Sequence, residues 1–361
     1  MVDFTSALYL GFRHASHELR PWTQFTTGMP AALKSPELAK QLARGFARLQ
    51  GCENGSLATS TLHVFWDLFG TIAESKPAVY VDRGTYPIAL WGVERIAARG
   101  APVRWFGHHD AHSLQRELAT GASDRRPVIV ADGFCPSCGQ CAPIDQYLAL
   151  AREYGGHLVI DDTQALGIFG SSPNSQAPYG KGGGGMLRKA NVGGPEIILV
   201  SSLAKAFGVP IAILAGSSQL VARFESLSET RMHCSPPSFA TLRAAENALR
   251  RNTEEGDSAR FRLAQLAHFF RNRTESMGLA TARSVFPVQT ISLIPASNVF
   301  DLHTKLLQRG VRSVLHRLLH DRAPALSFLI TARHTFEELE WAVDTLQRIL
   351  RPLRRPIFAS R

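Results

Sequence analysis

The sequence predicts an α/β protein, with a large domain built on a mainly parallel β-sheet and a smaller α+β region near its C-terminal end. Two observations support this fold class. Strand-type apolar runs alternate with helical segments of about 10–15 residues, and polar side chains follow directly after several of those runs. The chain has 361 residues, of which 45% are hydrophobic and 19% charged, a balance that allows a large buried core.

Apolar, strand-type runs define the large sheet. The predicted strands are residues 127–131, 157–160, 196–200 and 209–215. Between the first two, residues 145–154 are predicted to form a helix, because their apolar side chains share one face and Gly155 and Gly156 end the pattern. A further apolar run at residues 62–69 is also interpreted as a helix.

The last third of the chain has a different pattern, in which long helices are separated by single strands. The predicted helices are residues 241–252, 259–276, 298–309 and 335–353, and the predicted strands are residues 288–293 and 328–330. Helical periodicity supports the helices, and short β-rich runs support the strands. This part therefore indicates a smaller α+β domain.

The chain carries a strong positive charge. Forty Lys and Arg against 30 Asp and Glu give a net charge of +10, and the last 61 residues contribute 11 against 6, or +5. A basic surface of this kind is compatible with nucleic acid, a membrane surface or an anionic small molecule. Because the sequence has no recognised DNA-binding motif, we favour a basic enzyme that binds anionic ligands and no nucleic acid.

Several features predict a cytoplasmic protein. We find no stretch of about 18 apolar residues, so we expect no membrane span. The first residues lack the charged and apolar regions of a signal peptide. The five cysteines are odd in number and give no disulfide framework.

Two residues at predicted strand ends suggest the chemistry. Asp161 follows the strand at 157–160, and Lys205 lies shortly after the strand at 196–200. Ligands of such sheets bind at the carboxyl ends of strands. An aldehyde cofactor needs an amine that forms a Schiff base and an acid beside its pyridine nitrogen, and this pair can supply both.

Longer motifs extend this interpretation. They are Asp3–Gly11, Val81–Tyr86, Val130–Gly133 with Gly139–Pro143, Ile160–Gly167 (Ile-Asp-Asp-Thr-Gln-Ala-Leu-Gly) and Ser202–Gly208 (Ser-Leu-Ala-Lys-Ala-Phe-Gly). In this order they resemble the α-oxoamine synthases, a group of fold-type-I pyridoxal-phosphate enzymes that includes 8-amino-7-oxononanoate synthase and serine palmitoyltransferase. The resemblance implies a seven-stranded large sheet, pyridoxal 5'-phosphate as cofactor and a homodimer with shared active sites.

The resemblance also implies residue roles. Lys205 would bind the cofactor covalently and move the α-proton, and Asp161 would pair with the pyridinium nitrogen. Tyr86 would stack on the ring, in the place of a family histidine; the alternative for Tyr86 is a core aromatic. Gln164 would donate a hydrogen bond to the phenolic oxygen, and Ser202 would contact the phosphate.

Four further residues are candidates on the same grounds. Ser60 and Thr61 precede the apolar run at 62–69 and would bind phosphate at a helix N-terminus, with plain N-capping as the alternative. Asp132 stands where the family has an acid beside the cofactor. Ser235, in Ser-Pro-Pro, matches a segment that reaches the neighbouring subunit's site.

The family pattern is broken where the substrate carboxylate would bind. Aligning residues 329–332 with the family's late strand puts the expected arginine near Leu315, with Arg312, His316 and Arg317 as neighbouring candidates. The resemblance further implies an N-terminal segment at 1–35 that packs with the small domain. A large cofactor-binding domain would span residues 36–240, and a small domain residues 241–361.

One cluster falls outside the motifs. Cys135, Cys138 and Cys141 form C-x2-C-x2-C, with no fourth cysteine nearby. We interpret it as a substitution within a loop and expect no metal, although metal or redox chemistry stays an alternative. His108, His109 and His112 precede a predicted helix; we favour loop and capping roles, although their spacing also permits metal ligation.

The predicted function is a pyridoxal-phosphate-dependent acyltransferase. It would condense an amino acid with an acyl thioester, carried by coenzyme A or a carrier protein, and decarboxylation would give an α-aminoketone. Tyr86 and Gln164 leave room for an aminotransferase or a carbon–carbon lyase on the same fold. A non-catalytic binding protein that kept the fold is the other alternative.

Overall fold

The computed structural model describes residues 1–121, 124–281, 284–292, 296–317 and 323–350. Contacts between Cα atoms divide the chain into two units. The large unit contains residues 12–135 and 141–257, and the small unit contains residues 1–11, 136–140 and those from 258 onward. This division differs from the predicted boundaries at 35/36 and 240/241, which stay a prediction. It assigns the helix at 239–254 to the large unit.

Fifteen strands are present among the described residues. They are β1 (Val2–Asp3), β2 (Asn54–Ala58), β3 (Pro77–Asp82), β4 (Val103–Phe106), β5 (Arg126–Asp132), β6 (Phe134–Cys135), β7 (Gln140–Cys141), β8 (His157–Asp161), β9 (Ile197–Ser202), β10 (Ala212–Gly216), β11 (Ala280–Thr281), β12 (Val288–Ser292), β13 (Val311–Arg312), β14 (Val314–Arg317) and β15 (Pro324–Leu329).

Twelve α-helices accompany them in the same part of the chain. They are α1 (Glu37–Gln50), α2 (Thr61–Ala73), α3 (Pro87–Ala98), α4 (Ala111–Ala119), α5 (Ile144–Glu153), α6 (Met186–Ala190), α7 (Ser218–Leu227), α8 (Glu229–His233), α9 (Phe239–Glu254), α10 (Gly256–Ser276), α11 (Ala296–Gln308) and α12 (Phe336–Leu350). None of the described helices is both long and apolar enough to span a bilayer.

The large unit is built on a seven-stranded sheet with the order β2-β10-β9-β8-β5-β3-β4. All neighbours pair in parallel except β10, which is antiparallel to both β2 and β9. The central strands are buried along almost their whole length; Ile129 and Val130, which point to opposite faces, are both at most 1% exposed. Burial on both faces explains why these strands are continuous apolar runs.

The predicted fold class is confirmed for the large unit. The strands predicted at 127–131, 157–160 and 196–200 are β5, β8 and β9. The strand predicted at 209–215 begins later, at Ala212, because Val209 and Ile211 lie in the turn that leads into it. The helix predicted from the run at 62–69 is α2.

The small unit contains a four-stranded antiparallel sheet with the order β11-β12-β15-β14. In the same unit β1 pairs in parallel with β13, which ties the first residues of the chain to it. The strand predicted at 328–330 is the end of a longer strand, β15, whose start is obscured in the sequence by Pro324 and Ser327. The last predicted helix is α12; its predicted residues 351–353 and the end of the strand predicted at 288–293 lie outside the described residues.

Helices α2 and α3 pack so closely that the residue of α3 at their contact, Gly92, must be glycine. A Cβ atom added to Gly92 of α3 would overlap the ring of Phe69 and lie 3.0 Å from the carbonyl oxygen of Phe65. We predict that Gly92→Ala lowers the free energy of unfolding by about 1–3 kcal/mol, because the fully buried Phe69 has no room to move. Thermal unfolding measures the loss.

Gly193 offers a matched control for this substitution. An added Cβ there meets no atom within 4 Å, and we expect Gly193→Ala to change the stability by no more than about 0.5 kcal/mol. Equal unfolding temperatures for Gly92→Ala and Gly193→Ala would contradict the close packing of α2 and α3.

Candidate active site

The carboxyl ends of three neighbouring strands place polar side chains at one edge of the large sheet. Asp132 ends β5, Asp161 ends β8 and Ser202 ends β9. Asp132 lies directly opposite Asp161 in the strand register, and Asp161 lies opposite Val200. β5 and β8 each end at the first polar residue after their apolar run, whereas β9 continues through Ser201 to a second serine, so the sequence itself sets where the acids emerge.

Lys205 lies in the turn between β9 and β10. Hydrogen bonds from the N–H of Leu203 to Ile211 O (2.8 Å) and from the N–H of Val209 to Leu203 O (3.0 Å) close this turn. The side chain of Lys205 is half-buried. Burial lowers the pKa of its amine below the ordinary value, while the charges of Asp161 and Asp132 act in the opposite direction. The amine therefore lies in the field of both carboxyl groups.

Asp161 is buried and is held by Thr163. The N–H of Thr163 donates to Asp161 Oδ1 over 3.0 Å. Burial raises the pKa of Asp161, and the hydrogen bonds from Thr163 and the charge of Lys205 partly offset that rise. The hydroxyl oxygen of Thr163 also accepts the N–H of Ser202 over 3.0 Å. Thr163 thus connects the ends of β8 and β9.

Thr163 was not identified from the sequence, although a signal was present. An Asp followed two residues later by a backbone N–H that it accepts is the Asx-turn spacing, and Asp161-Asp162-Thr163 has that spacing. The second hydrogen bond, to Ser202, depends on the pairing of β8 with β9, and no local pattern could show it.

Asp132 fixes the start of helix α3. The N–H of Tyr86 donates to Asp132 Oδ1 over 3.0 Å, and Tyr86 is the residue immediately before α3. Burial and the nearby charge of Asp161 raise the pKa of Asp132 well above its ordinary value. The side chain of Tyr86 is 50% exposed, so the alternative of a core aromatic is wrong and its ring face is available to a ligand.

The remaining candidates of the large unit lie on three different segments. Ser60 caps α2, since its hydroxyl accepts the N–H of His63 over 3.4 Å, and Thr61 is the first residue of that helix. Gln164 is half-buried beside Thr163, whereas Ser235 is exposed between α8 and α9. Among the described residues, no hydrogen bond or ion pair joins Ser60, Thr61 and Ser235 to one another or to Lys205. The capping role of Ser60 is observed directly.

Three candidates for a substrate carboxylate belong to the small unit. Arg312 forms an ion pair with Asp3 (3.4 Å), and His316 Nε2 lies 2.7 Å from the hydroxyl of Ser327. Arg317, the last residue of β14, is exposed, and its guanidinium forms no ion pair within the described part of the chain. Arg317 is therefore the cation of the three that is open to an anionic ligand.

The residues at the sheet edge fit the predicted cofactor. Covalent attachment needs an amine that loses its proton readily, and Lys205 is an amine whose pKa is lowered. A pyridine nitrogen that is to stay protonated needs a buried carboxylate, and Asp161 is 8% exposed. The N–H groups at the start of α2 supply the kind of donors that bind a phosphate.

Curated relatives match almost the whole chain. The 8-amino-7-oxononanoate synthase of Thermosipho melanesiensis is 25% identical over 358 residues, covering 97% of this chain and 88% of the relative. The enzyme of the same name from Alkalilimnicola ehrlichii is 28% identical over 312 residues, covering 86% and 76%. These names belong to the α-oxoamine synthases, so the resemblance drawn from the motifs is confirmed.

Solved structures share the fold. Serine palmitoyltransferase from S. paucimobilis superimposes with a TM-score of 0.85 at 15% identity, covering 98% of this chain and 88% of that one. The 8-amino-7-oxononanoate synthase from Francisella tularensis gives 0.76 at 18% identity and covers 98% of both chains. At these identities the structures confirm the fold-type-I architecture.

A family model decides the classification. The model of aminotransferase class I and II matches residues 56–346. This range includes all the candidate residues named above and the whole large sheet apart from the first two residues of β2. That family depends on pyridoxal phosphate, so the predicted cofactor and enzyme class are confirmed at this level. The chain belongs to the aminotransferase class I and II family.

Proposed function

We propose that this protein is an acyltransferase that condenses an amino acid with an acyl thioester to give an α-aminoketone. The observation that carries the proposal is the pair of facing acids at the carboxyl ends of β5 and β8, with Lys205 in the turn after β9 and within the electrostatic reach of both. Relatives named 8-amino-7-oxononanoate synthase, which match nearly the whole chain, support the reaction class.

Lys205 supplies the nucleophile and the proton carrier. A lowered pKa increases the fraction of neutral amine at a given pH, and only the neutral amine attacks a carbonyl. Nζ of Lys205 would also be the base that removes the α-proton of the substrate and later returns one.

Asp161 maintains the charge on which the chemistry depends. Bound pyridoxal phosphate acts as an electron sink, and this requires a protonated pyridine nitrogen. The carboxylate of Asp161 stabilises that proton, and Thr163 orients the carboxylate by its hydrogen bonds. Asp132 would support the same site from the neighbouring strand while holding the backbone of Tyr86.

The other candidates position the cofactor. The exposed ring of Tyr86 offers a face for stacking, and Gln164 offers an amide donor for the phenolic oxygen. Ser202 lies at the end of β9, and Ser60 and Thr61 lie at the start of α2; these three hydroxyls would contact the phosphate. Ser235 would act in the site of a second subunit of a homodimer.

Arg317 would bind the substrate carboxylate. Arg312 and His316 already have partners, Asp3 and Ser327, whereas the guanidinium of Arg317 is open to a ligand. A guanidinium can bind a carboxylate through two parallel hydrogen bonds. The basic composition of the chain, with a net charge of +10, is compatible with anionic substrates such as acyl-coenzyme A.

The reaction balances without an added oxidant or reductant. A new carbon–carbon bond joins Cα of the amino acid to the acyl carbon in place of the α-proton, and the thiol leaves with a proton. The carboxylate leaves as carbon dioxide, and a proton from solution takes its place on Cα. The test is to incubate the protein and pyridoxal phosphate with a panel of amino acids and acyl thioesters, and to measure free thiol and carbon dioxide. We expect equal amounts of both, dependent on both substrates.

The same assay separates the rivals. Amino transfer to a keto acid without thiol release would favour an aminotransferase, which Tyr86 and Gln164 also allow. Absence of turnover, together with nucleic-acid binding that falls steeply with salt, would favour a non-catalytic binding protein.

We further propose a cytoplasmic homodimer. Cys52, Cys141 and Cys234 are free thiols, as is usual in a reducing compartment. Light scattering during gel filtration would measure a mass of two chains if Ser235 acts across a subunit boundary.

Lys205 is expected to be indispensable. We predict that Lys205→Ala abolishes the visible absorbance of the protein reconstituted with pyridoxal phosphate and lowers kcat by at least about 10³-fold, because the covalent link and the proton carrier are lost together. Absorption spectra and thiol release measure the two effects. Lys181→Ala, at an exposed lysine of the large unit, is the control and should behave as the wild type. Retained absorbance in Lys205→Ala would disprove the assignment.

Thr163 is expected to matter for cofactor affinity. Thr163→Val keeps the shape of the side chain but removes the acceptor for the Ser202 N–H and the hydroxyl beside Asp161. An unsatisfied group of this kind costs about 1–3 kcal/mol, so we predict that the apoprotein binds pyridoxal phosphate roughly 10-fold more weakly. Thr163→Ser, which keeps the hydroxyl, should bind nearly as the wild type. Unchanged affinity in Thr163→Val would contradict this role.

Arg317 is expected to affect substrate binding rather than turnover. Loss of a hydrogen-bonded charge costs about 1.5–3 kcal/mol, so we predict that Arg317→Ala raises KM for the amino acid roughly 10- to 100-fold. Arg312→Ala, which breaks only the exposed pair with Asp3, should leave KM unchanged. Steady-state kinetics test both variants, and the reverse ranking would assign the carboxylate to Arg312.

A further inference from the structure

A cavity opens at the edge of the large sheet opposite the candidate active site. It has a volume of about 430 Å³, and its lining includes Arg126, the first residue of β5, and His157, the first residue of β8. The candidate residues Asp132 and Asp161 lie at the other ends of the same two strands. The seven residues of β5 span about 20 Å. The cavity is therefore separate from the site proposed for pyridoxal phosphate.

Three arginines give this cavity an excess of positive charge. They are Arg126, Arg152 near the end of α5, and Arg223 in α7. Among the described residues that line the cavity, Glu196 is the one acid. The arginines belong to three separate elements, so the tertiary fold brings them together, and no basic stretch of the sequence predicts the site.

Two of these arginines have acidic partners. Arg152 forms an ion pair with Glu196 (3.4 Å), and Arg223 forms one with Glu74 (3.2 Å). Arg126 is exposed and has no ion pair within the described part of the chain. A guanidinium has five N–H donors, so each paired arginine keeps donors that a ligand can use, and Arg126 keeps all of its side-chain charge for a ligand.

His157 adds a buried ring nitrogen that lacks a partner. Its Nδ1 is buried and forms no hydrogen bond with any described residue, whereas buried polar atoms are normally paired. Burial lowers the pKa of His157, and the charges of Arg126 and Arg223 lower it further, while the backbone and carboxylate of Glu196 act in the opposite direction. Both guanidiniums thus act on the imidazole. An anion in the cavity would offset their charges and could accept a hydrogen bond from Nδ1.

Part of the cavity wall is apolar. Ala151, Pro195 and Leu220 line it together with the arginines, and Leu220 also packs against the hydrophobic core of the large unit. Sites for small organic ligands have volumes of about 300–1,000 Å³ and combine apolar walls with a few polar groups. A volume of about 430 Å³ with these walls therefore suits an organic anion better than a bare inorganic ion.

We propose that this cavity binds a small organic phosphate ester through Arg126, Arg223 and His157. A phosphate monoester carries a charge of about −1.5 to −2 at neutral pH, which matches three arginines and one glutamate in the lining. Guanidinium groups bind phosphate oxygens through two parallel hydrogen bonds, and the apolar wall would cover the organic part. The proposal does not depend on the reaction proposed above, because the cavity lies at the other edge of the sheet and its test measures binding.

Calorimetric titration with phenyl phosphate tests the proposal. The protein is first loaded with pyridoxal phosphate and desalted, so that the phosphate site of the cofactor is occupied. We expect saturable binding to the wild type and at least about 10-fold weaker binding to Arg126→Ala and Arg223→Ala, because each variant loses a charged hydrogen-bond donor. Arg116→Ala, at an exposed arginine of α4, is the matched control and should bind as the wild type. Phenol, which has the ring without the phosphate, should not bind.

A second measurement follows the wild-type protein, in case a variant fails to fold. With histidine labelled by ¹³C at Cε1, saturating phenyl phosphate should shift the resonance of His157, which is assigned by its absence in His157→Gln. The resonance of His112, in α4, should stay unchanged. Absence of saturable binding to the wild type would overturn the proposal, and so would equal binding by Arg126→Ala and Arg116→Ala or an unshifted His157 resonance. The visible absorbance of the bound cofactor shows separately whether the cofactor site is intact.

Discussion

Three carboxyl groups at one sheet edge, two of them buried and one half-buried, are the constraint on which this site depends. Asp82, Asp132 and Asp161 end the adjacent strands β3, β5 and β8, so their negative charges are brought together in a region of low polarity. Each acid is compensated differently. Asp82 accepts four hydrogen bonds. Asp161 accepts the N–H of Thr163 and is stabilised by the charge of Lys205, and Asp132 accepts the N–H of Tyr86. Among these compensating groups, Lys205 is the one that the proposed reaction uses.

This constraint explains why Lys205 is useful as a nucleophile. A lysine buried without carboxylates would lose its proton too easily to stabilise the acids, and an exposed lysine would stay charged. Lys205 is half-buried, with burial lowering its pKa and two acids opposing that change. The amine therefore neutralises the acids before the cofactor arrives and can give up its proton when it reacts. The burial of Lys205 and its two neighbouring acids therefore determine both the charge balance of the site and the reactivity of the amine.

The sequence predicted the central strands and Asp161 because they depend on local patterns, whereas Asp132 rested on the family resemblance and Asp82 was not singled out. A buried parallel strand must be apolar on both faces, so β5, β8 and β9 were visible as runs, and Asp161 and Lys205 were placed by counting from their ends. What was missed depends on distant pairing. Thr163 matters because β8 and β9 adjoin, and His108 meets Cys135 because β4, β3 and β5 adjoin. The start of β15 was missed because Pro324 breaks its apolar pattern.

The distribution of charged residues along the chain limits the conclusions that can be drawn from the net charge of +10. The last 61 residues carry an excess of five positive charges, but four of their arginines lie at 351–361, where there is no acid. Residues 301–350 have seven Lys and Arg against six Asp and Glu. A general positive field therefore does not explain how the small unit would bind a carboxylate. We expect recognition there to come from a single exposed guanidinium, and among the described residues Arg317 has no ion pair whereas Arg312 pairs with Asp3.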